Sequence, residues 1–145
     1  MGTKVVRNER IGVDVCYGAE MCYKKSLDIL EEMDLPRGLL PLKDLEESGY
    51  VRETGDMWLK QKKPVEYYNK NIKRIVVYGT QVVAYVEKQK IKKMNGVKRK
   101  ELFMWINITE MSIVDASSRK IYFKSSFGVG KSFPIKAFEL EDDKE

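Results

Sequence analysis

The sequence predicts an α+β fold that is mainly β, in which one N-terminal amphipathic helix packs on a largely antiparallel sheet. The first observation is that residues 18–33 carry apolar side chains at helical spacing. The second is that residues 50–138 divide into short apolar segments separated by turn signals. The third is the lack of a second helical segment, which parallel strands would need as a crossover.

The predicted helix spans residues 18–33. Its apolar stripe recurs at every third or fourth position, at Ala19, Cys22, Ser26, Leu30 and Met33. The opposite face carries charged side chains, at Glu20, Lys24, Lys25, Asp28, Glu31 and Glu32. A helix of this length is marginal in isolation, so the stripe must be buried against another element.

Residues 35–42, here called the leucine segment, come directly after the helix. Two prolines and a glycine prevent the helix from continuing through them. Four leucines make the segment too apolar for a free linker: Leu35, Leu39, Leu40 and Leu42. We therefore expect the leucine segment to pack the helix onto the sheet.

The rest of the chain is predicted as strands and turns. One helical turn is expected at 42–48, followed by a hairpin of strands 50–53 and 57–61. Further strands are predicted at 72–78, 81–88, 102–109, 111–114, 119–124 and 131–138. Turns are predicted at Gly79-Thr80, at Asn95-Gly96 and at 115–118.

A single domain, residues 15–140, accounts for this pattern. Residues 1–14 are predicted as a flexible arm or a short edge element, and residues 141–145 as an acidic disordered tail. The first ten residues are charged and lack the apolar part of a secretory signal. No window approaches the roughly 20 apolar residues of a membrane span. We therefore expect a cytoplasmic protein, with or without peripheral attachment to a membrane.

The sequence contains no histidine, which excludes Ser-His-Asp and Cys-His catalysis and histidine-containing zinc sites. The two cysteines, Cys16 and Cys22, cannot form a four-thiolate site, and their spacing disfavours a disulfide between them. Residues 125–132 end in Gly-Lys-Ser like a phosphate-binding loop, but Pro134 follows where that loop requires a helix. We therefore predict a protein that is not an enzyme, with no catalytic residues, no metal and no cofactor.

Two predicted strands are apolar on both faces. Val82, Ala84 and Val86 share one face, and Val83 and Tyr85 lie on the other. Similarly, Phe103 and Trp105 lie opposite the face formed by Leu102, Met104, Ile106 and Ile108. One helix covers only one side of a sheet, so the second face needs a barrel interior, a second layer, a partner or an apolar ligand. A packed second layer is favoured over a ligand cavity.

Positive charge is concentrated in the middle of the chain. Residues 60–100 carry 13 basic and 2 acidic side chains, and seven of the fourteen residues 87–100 are basic. Such a segment suits an anionic membrane surface or an acidic protein, or it is simply a solvated face. Nucleic acid is disfavoured because the segment lacks interleaved aromatic residues for base stacking.

Nine short segments of the chain together carry a family resemblance. They are LPRGLLPLKDLEE at 35–47, GYV at 49–51, WLKQKK at 58–63, AYVE at 84–87, KIKK at 90–93, GVK at 96–98, KEL at 100–102, IYFK at 121–124 and SFPIKAF at 132–138. Through these segments the chain resembles the plant family called domain of unknown function 538 (DUF538). Within the family the chain is most similar to the type linked to trichome size and branching.

The resemblance implies a strongly curved, largely antiparallel sheet that forms a pseudobarrel behind the helix. It also implies a likeness to the lipid-binding domains of bactericidal permeability-increasing proteins, and a role in plant growth, stress or trichome development. No catalytic set comes with the family. An esterase activity suggested for relatives could not use histidine here.

The leading hypothesis is a non-enzymatic module that binds lipid, another amphipathic anionic ligand or a membrane surface. Its predicted apolar contact is formed by Val83, Tyr85, Phe103 and Trp105. Its predicted headgroup contact is formed by Lys90, Lys92, Lys93, Lys98, Arg99 and Lys100. The alternative is a protein-interaction or regulatory module with a fully packed core and an acidic protein partner. A histidine-free hydrolase is the weaker alternative.

Overall fold

The computed structural model of this chain describes residues 4–8, 12–128 and 130–140. Within these residues the chain forms one α-helix, α1 (Ala19–Glu32), and ten strands. The strands are β1 (Lys4–Asn8), β2 (Val13–Tyr17), β3 (Leu45–Val51), β4 (Asp56–Gln61), β5 (Val65–Asn69), β6 (Arg74–Glu87), β7 (Lys90–Glu101), β8 (Met104–Ser112), β9 (Lys120–Ser125) and β10 (Gly130–Pro134). Two 3-10 helices, Ala116–Ser118 and Ile135–Phe138, precede β9 and follow β10. The predicted fold class, α+β and mainly β with one N-terminal helix, is confirmed.

All ten strands belong to one antiparallel sheet. Its order is β1-β2-β3-β4-β6-β7-β8-β9-β10, so most neighbours in the sheet are also neighbours in the chain. The exception is β5, which pairs with the first half of β6 while β4 pairs with the second half. The sheet curls strongly without closing. As a result, the ammonium of Lys131 on β10 lies 3.2 Å from Glu101 on β7, across two intervening strands.

Helix α1 packs against β2 and β3. Its buried residues are Cys22, Ser26, Ile29 and Leu30, which confirms the centre of the predicted stripe. Ala19 in the first turn is exposed, and Met33 lies just beyond the last turn and is half-buried. Both cysteines are free and buried, as predicted, and the Cys22 thiol donates to the Cys16 carbonyl at 3.3 Å.

The leucine segment fills the concave face of the sheet, as the sequence predicts. All four leucines are at most 5% exposed: Leu35, Leu39, Leu40 and Leu42. Gly38 donates a 2.8 Å hydrogen bond to the carbonyl of Phe138 in the second 3-10 helix. A Cβ atom at Gly38 would overlap that carbonyl oxygen, so only glycine allows the two backbones to approach this closely.

The predicted helical turn at 42–48 is wrong, because residues from Leu45 onward form strand β3. This strand pairs with β2 on one side and β4 on the other, and these hydrogen bonds override the local preference for a turn. The predicted hairpin across 54–56 is confirmed, with strands that begin or end a few residues away from the predicted bounds.

The predicted turns at Gly79-Thr80 and Asn95-Gly96 are also wrong. Gly79 lies inside the 14-residue strand β6, and Gly96 lies inside β7 at a positive φ of 103°. The pairing of β6 with β7 shifts register between Tyr78 and Val83, so the two glycines mark facing irregularities. The buried amide of Gln61 donates to the carbonyls of Tyr78 and Gly79, at 3.1 and 2.9 Å. Residues typical of turns therefore bend these two long strands.

Other boundaries also differ from the prediction. The strands expected at 102–109 and 111–114 are one strand, β8, and Leu102 and Phe103 form the turn before it. The last predicted strand ends at Pro134, which cannot donate to a ladder, and a 3-10 helix follows. The turn at 115–118 is confirmed as a 3-10 helix capped by Asp115, and the strand at 119–124 is confirmed as β9.

Residues 1–14 were predicted as a flexible arm or a short edge element, and the described part of this region contains the edge strand β1 and the start of β2. Strand β1 pairs with β2 along all five of its residues, and β2 pairs with β3. This pairing could not be expected while β3 was assigned to a helical turn. The predicted acidic tail, residues 141–145, lies outside the described residues.

Candidate functional site

The concave face of the sheet is filled by the chain itself. The leucine segment and Phe138 pack there against Phe123 and Phe133, and the ring centroids of Phe123 and Phe138 are 5.1 Å apart. A cavity of about 10 Å³ lies between α1 and β3, which is room for about one water. The larger hollows, of about 530 and 340 Å³, are open surface grooves beside the second 3-10 helix. The concave face is therefore a packed layer, as the sequence favoured.

The other face of the strands is at the surface. Val83 is exposed and lies opposite Asn95 on β7, and Tyr85 lies opposite Lys92. The ammonium of Lys93 lies 5.3 Å from the centroid of the Tyr85 ring, a cation–π contact. This part of the predicted apolar contact is therefore already covered in part by a lysine of the protein.

The β7–β8 hairpin ends in four consecutive exposed apolar residues, here called the apolar tip (residues 102–105). Leu102 is 87% and Phe103 99% exposed, and Met104 and Trp105 are about half exposed. Glu101 pairs with Met104, so Leu102 and Phe103 alone form the turn. Leu102 has a positive φ of 44°, in a conformation that a branched, bulky residue rarely adopts.

The four predicted apolar contact residues lie in two separate places. Val83 pairs with Asn95 and Trp105 pairs with Lys100, on opposite sides of β7. Those two positions of β7 are five residues apart along the strand, which is roughly 17 Å. The structure therefore groups Phe103 and Trp105 with Leu102 and Met104, and leaves Val83 and Tyr85 apart.

The six predicted headgroup residues are divided as well. Lys90, Lys92 and Lys93 lie at the end of β7 next to the β6–β7 turn, and Lys92 is paired with Glu87. That carboxylate raises the pKa of Lys92. Lys98 and Lys100 are exposed beside the apolar tip, and the ammonium of Lys100 lies 5.6 Å from the Trp105 ring centroid.

Arg99 differs from its neighbours because it points inward and is only 3% exposed. It belongs to a group here called the Glu101 cluster, formed by Arg74, Arg99, Glu101 and Lys131. The Nε atoms of Arg74 and Arg99 each lie 2.8 Å from Oε2 of Glu101. The ammonium of Lys131 lies 3.2 Å from Oε1. One carboxylate is thus shared by three cations from three strands.

The pKa of Glu101 reflects these neighbours. Burial alone would raise it, but hydrogen bonds from Arg74 and Lys131 and the charge of Arg99 outweigh burial. The net effect lowers the pKa of Glu101 below its ordinary value. The carboxylate is therefore charged at neutral pH and offsets part of the positive charge around it.

More cations and aromatic rings lie at the same end of the sheet. Tyr68 on β5 pairs with Ile75 of β6, and it is 58% exposed. The β9–β10 turn carries the exposed Phe127 and adjoins β8 through a hydrogen bond from Ser126 to Asn107. The turn between β5 and β6 contributes Lys70 and Lys73, both exposed. The end of the sheet that carries the apolar tip therefore also carries exposed basic and aromatic side chains.

Sequence reasoning missed parts of both groups. Leu102 and Met104 were assigned to the strand face opposite Phe103 and Trp105, although four consecutive apolar residues after a charged run at 98–101 could have indicated an exposed tip. Arg74 and Glu101 meet through the pairing of β6 with β7, and only the curl of the sheet brings Lys131 from β10 to them. No pattern in the sequence indicates that grouping.

Within the described residues, no helix is long and apolar enough to cross a membrane. In the same part of the chain, no group of three or more His, Cys, Asp or Glu side chains is arranged to hold a metal ion.

Residues 26–139 match the family model described as "Protein of unknown function, DUF538". The match covers most of the chain, including α1 from Ser26 onward, the leucine segment and strands β3 to β10. No curated protein and no solved structure matches the chain.

Proposed function

This chain belongs to the DUF538 family, and we propose that it is a non-enzymatic module that binds the surface of anionic membranes. The apolar tip enters the interfacial region, and the lysines beside it contact the lipid headgroups. The observation that carries this proposal is the full exposure of Phe103 and Leu102 at the end of a hairpin.

The apolar tip is poorly explained by the stability of the free protein. Leu102 and Phe103 bury little surface, and Leu102 holds a positive φ at a hairpin position where glycine is usual. Transfer of one such side chain out of water gains about 1.5–3 kcal/mol. An external apolar environment is the simplest way to recover that free energy, which supports a surface that enters a membrane.

The charges around the apolar tip favour an anionic surface. Lys98 and Lys100 are exposed on the strand that leads into it, and Lys73 lies on a neighbouring turn. Each lysine near an anionic bilayer contributes about 1 kcal/mol. A few lysines together with two inserted side chains are therefore sufficient for reversible attachment, without any cavity for a lipid.

The chemistry of the remaining groups supports a role without catalysis. The absence of histidine removes the usual general base. Burial raises the pKa of both thiols, Cys16 and Cys22, which disfavours the reactive thiolate. The proposed site therefore acts through binding alone.

Co-sedimentation of the full chain with vesicles tests the proposal. We expect binding to phosphatidylcholine vesicles that contain phosphatidylserine, and at least tenfold weaker binding for Phe103→Ser. Val114→Ser is the control, since Val114 is also apolar, 82% exposed and just beyond the opposite end of β8. Equal binding of the wild type and Phe103→Ser would contradict the proposal.

The packed concave face favours a second candidate, a protein-interaction module for an acidic protein. In that case the same lysines would contact carboxylates, and the apolar tip would enter a pocket of the partner. Failure to bind any anionic vesicle at low salt, together with saturable binding of one acidic protein, would favour this candidate.

A further inference from the structure

We propose that the Glu101 cluster is a binding site for a phosphate-class oxyanion, held by Arg99, Arg74 and Lys131. The phosphate group is the shared chemistry of a free phosphomonoester and of a lipid headgroup. The inference rests on the proposed function only if the phosphate group belongs to a lipid headgroup.

The guanidinium of Arg99 is the first reason. Its side chain is buried, and its Nη1 has no hydrogen-bond partner among the described residues. Its Nε is close to Glu101 but lacks the alignment of a hydrogen bond. A buried charged donor without an acceptor is costly, and arginine donors match the oxygens of a phosphate.

The charge balance is the second reason. Three cations surround a single carboxylate, so the cluster has an excess of two positive charges. A phosphomonoester carries about −1.5 to −2 at neutral pH, which matches that excess. A carboxylate ligand would leave one positive charge uncompensated, so a phosphate group fits better.

Access to the cluster is the third reason. The side chains of Lys131 and Arg74 are 45% and 28% exposed, so the cluster meets solvent although Arg99 does not. We expect the half-exposed Lys131 ammonium to turn from Glu101 toward the ligand when it binds. Glu101 directly precedes the apolar tip, so the site lies at the level that a headgroup would occupy.

Calorimetric titration of the full chain with inorganic phosphate, at constant ionic strength, tests the site. We expect saturable binding that chloride does not reproduce, and at least tenfold weaker binding for Lys131→Met and for Arg74→Gln. Lys92→Met is the matched control, because Lys92 is also a β-strand lysine paired with a glutamate but lies far from the cluster. Equal affinity in Lys131→Met and the wild type would overturn the proposal.

Glu101→Gln separates an anion site from a purely structural ion-pair network. Removal of the internal carboxylate raises the positive potential, so an anion site binds phosphate more tightly in this variant. A structural network predicts lower stability with no gain in phosphate affinity. If Glu101→Gln folds poorly, the Lys131→Met and Arg74→Gln titrations still decide the question.

Vesicles separate the two sources of phosphate and the two proposals. If the site takes a headgroup, Lys131→Met loses the preference for phosphatidic acid over phosphatidylserine at equal surface charge. An unchanged preference together with impaired phosphate titration assigns the site to free phosphomonoesters.

Phe103→Ser should reduce binding to both vesicles and leave the phosphate titration unchanged. A failed phosphate titration therefore overturns this inference alone, and vesicle binding that is insensitive to Phe103 overturns the proposed function alone.

Discussion

The hydroxyl of Tyr78 donates a 3.2 Å hydrogen bond to the main-chain carbonyl of Leu39. Tyr78 lies in the middle of β6, and Leu39 lies in the centre of the leucine segment. Both are buried, so the bond joins the sheet to the layer that covers its concave face. Burial also raises the pKa of Tyr78 far above its ordinary value. The concave face is thus held closed by a neutral, buried polar contact.

Tyr78→Phe should lower the free energy of unfolding by about 1 kcal/mol, because the Leu39 carbonyl loses its partner without the creation of a cavity. Urea denaturation of the variant measures this change. Tyr68→Phe is the control, since Tyr68 is exposed and its loss of a hydroxyl should be neutral. Equal losses in both variants would contradict the assigned role of the buried bond.

Gly38→Ala should be destabilising by about 2 kcal/mol, because its Cβ overlaps the carbonyl of Phe138 and pushes two backbones apart. The midpoint of thermal unfolding checks this. Gly79→Ala is matched to it, since a Cβ there meets its nearest neighbour at an ordinary 3.4 Å. If Gly38→Ala unfolds at the same temperature as Gly79→Ala, the backbones of Gly38 and Phe138 are not in tight contact.

Leu102→Gly should affect stability and binding in opposite directions. Glycine relieves the positive φ, which stabilises the fold by up to about 1 kcal/mol. The same change removes an inserted side chain, so binding to anionic vesicles should weaken about tenfold. Chemical denaturation and co-sedimentation on one preparation measure both effects. A loss of stability accompanied by unchanged binding would argue against the function assigned to the apolar tip.

The two ends of β7 should contribute unequally to membrane binding. Replacement of Lys98 and Lys100 by glutamine should weaken binding to anionic vesicles about tenfold, because these lysines adjoin the apolar tip. The charge-matched control replaces Lys90 and Lys93, at the other end of the strand, by glutamine. It should weaken vesicle binding less. Vesicle binding of both variants is measured as a function of salt concentration. Equal effects would indicate attraction by net charge alone.

Glu101 should make stability depend on pH. Its pKa is lower in the folded protein than the ordinary value of 4.5, so its contribution is fully present above that value. The contribution is lost as the pH falls through the folded-state pKa, where Glu101 becomes protonated. Glu101→Gln should therefore be about 2 kcal/mol less stable than wild type at pH 7, with a difference that shrinks in acid. Denaturation series from pH 3 to 7 measure it; a difference that is constant over this range would contradict the assignment.

Local patterns were sufficient to predict the helix, the leucine segment and the fold class. In each case the deciding signal, such as the spacing of Cys22, Ser26 and Leu30, lies within a short stretch of the sequence. The same reasoning failed at Gly79 and Gly96, because a glycine that bends a long strand has the same local signature as one that ends it. Only the partners β4, β5 and β7 distinguish the two cases.

The candidate site was predictable only in part. Phe103, Trp105, Lys98 and Lys100 were identified as contact residues from their types, and they lie together at one end of β7. Arg99 was grouped with the exposed lysines, although strand alternation turns it inward. The cluster around it takes Arg74 from the paired strand β6 and Lys131 from β10, and the proximity of Lys131 depends on how far the sheet curls, which no single segment specifies.

The strand order has a consequence for how the polypeptide acquires this shape during synthesis. Successive hairpins require only short loop closures, which are rapid, whereas the Gly38–Phe138 hydrogen bond joins residues one hundred positions apart. The ribosome must therefore have synthesised the chain as far as Phe138 before the leucine segment obtains its final cover. Until then, we expect the nascent chain to expose an incompletely packed apolar surface. We also expect chaperones to protect that surface from aggregation.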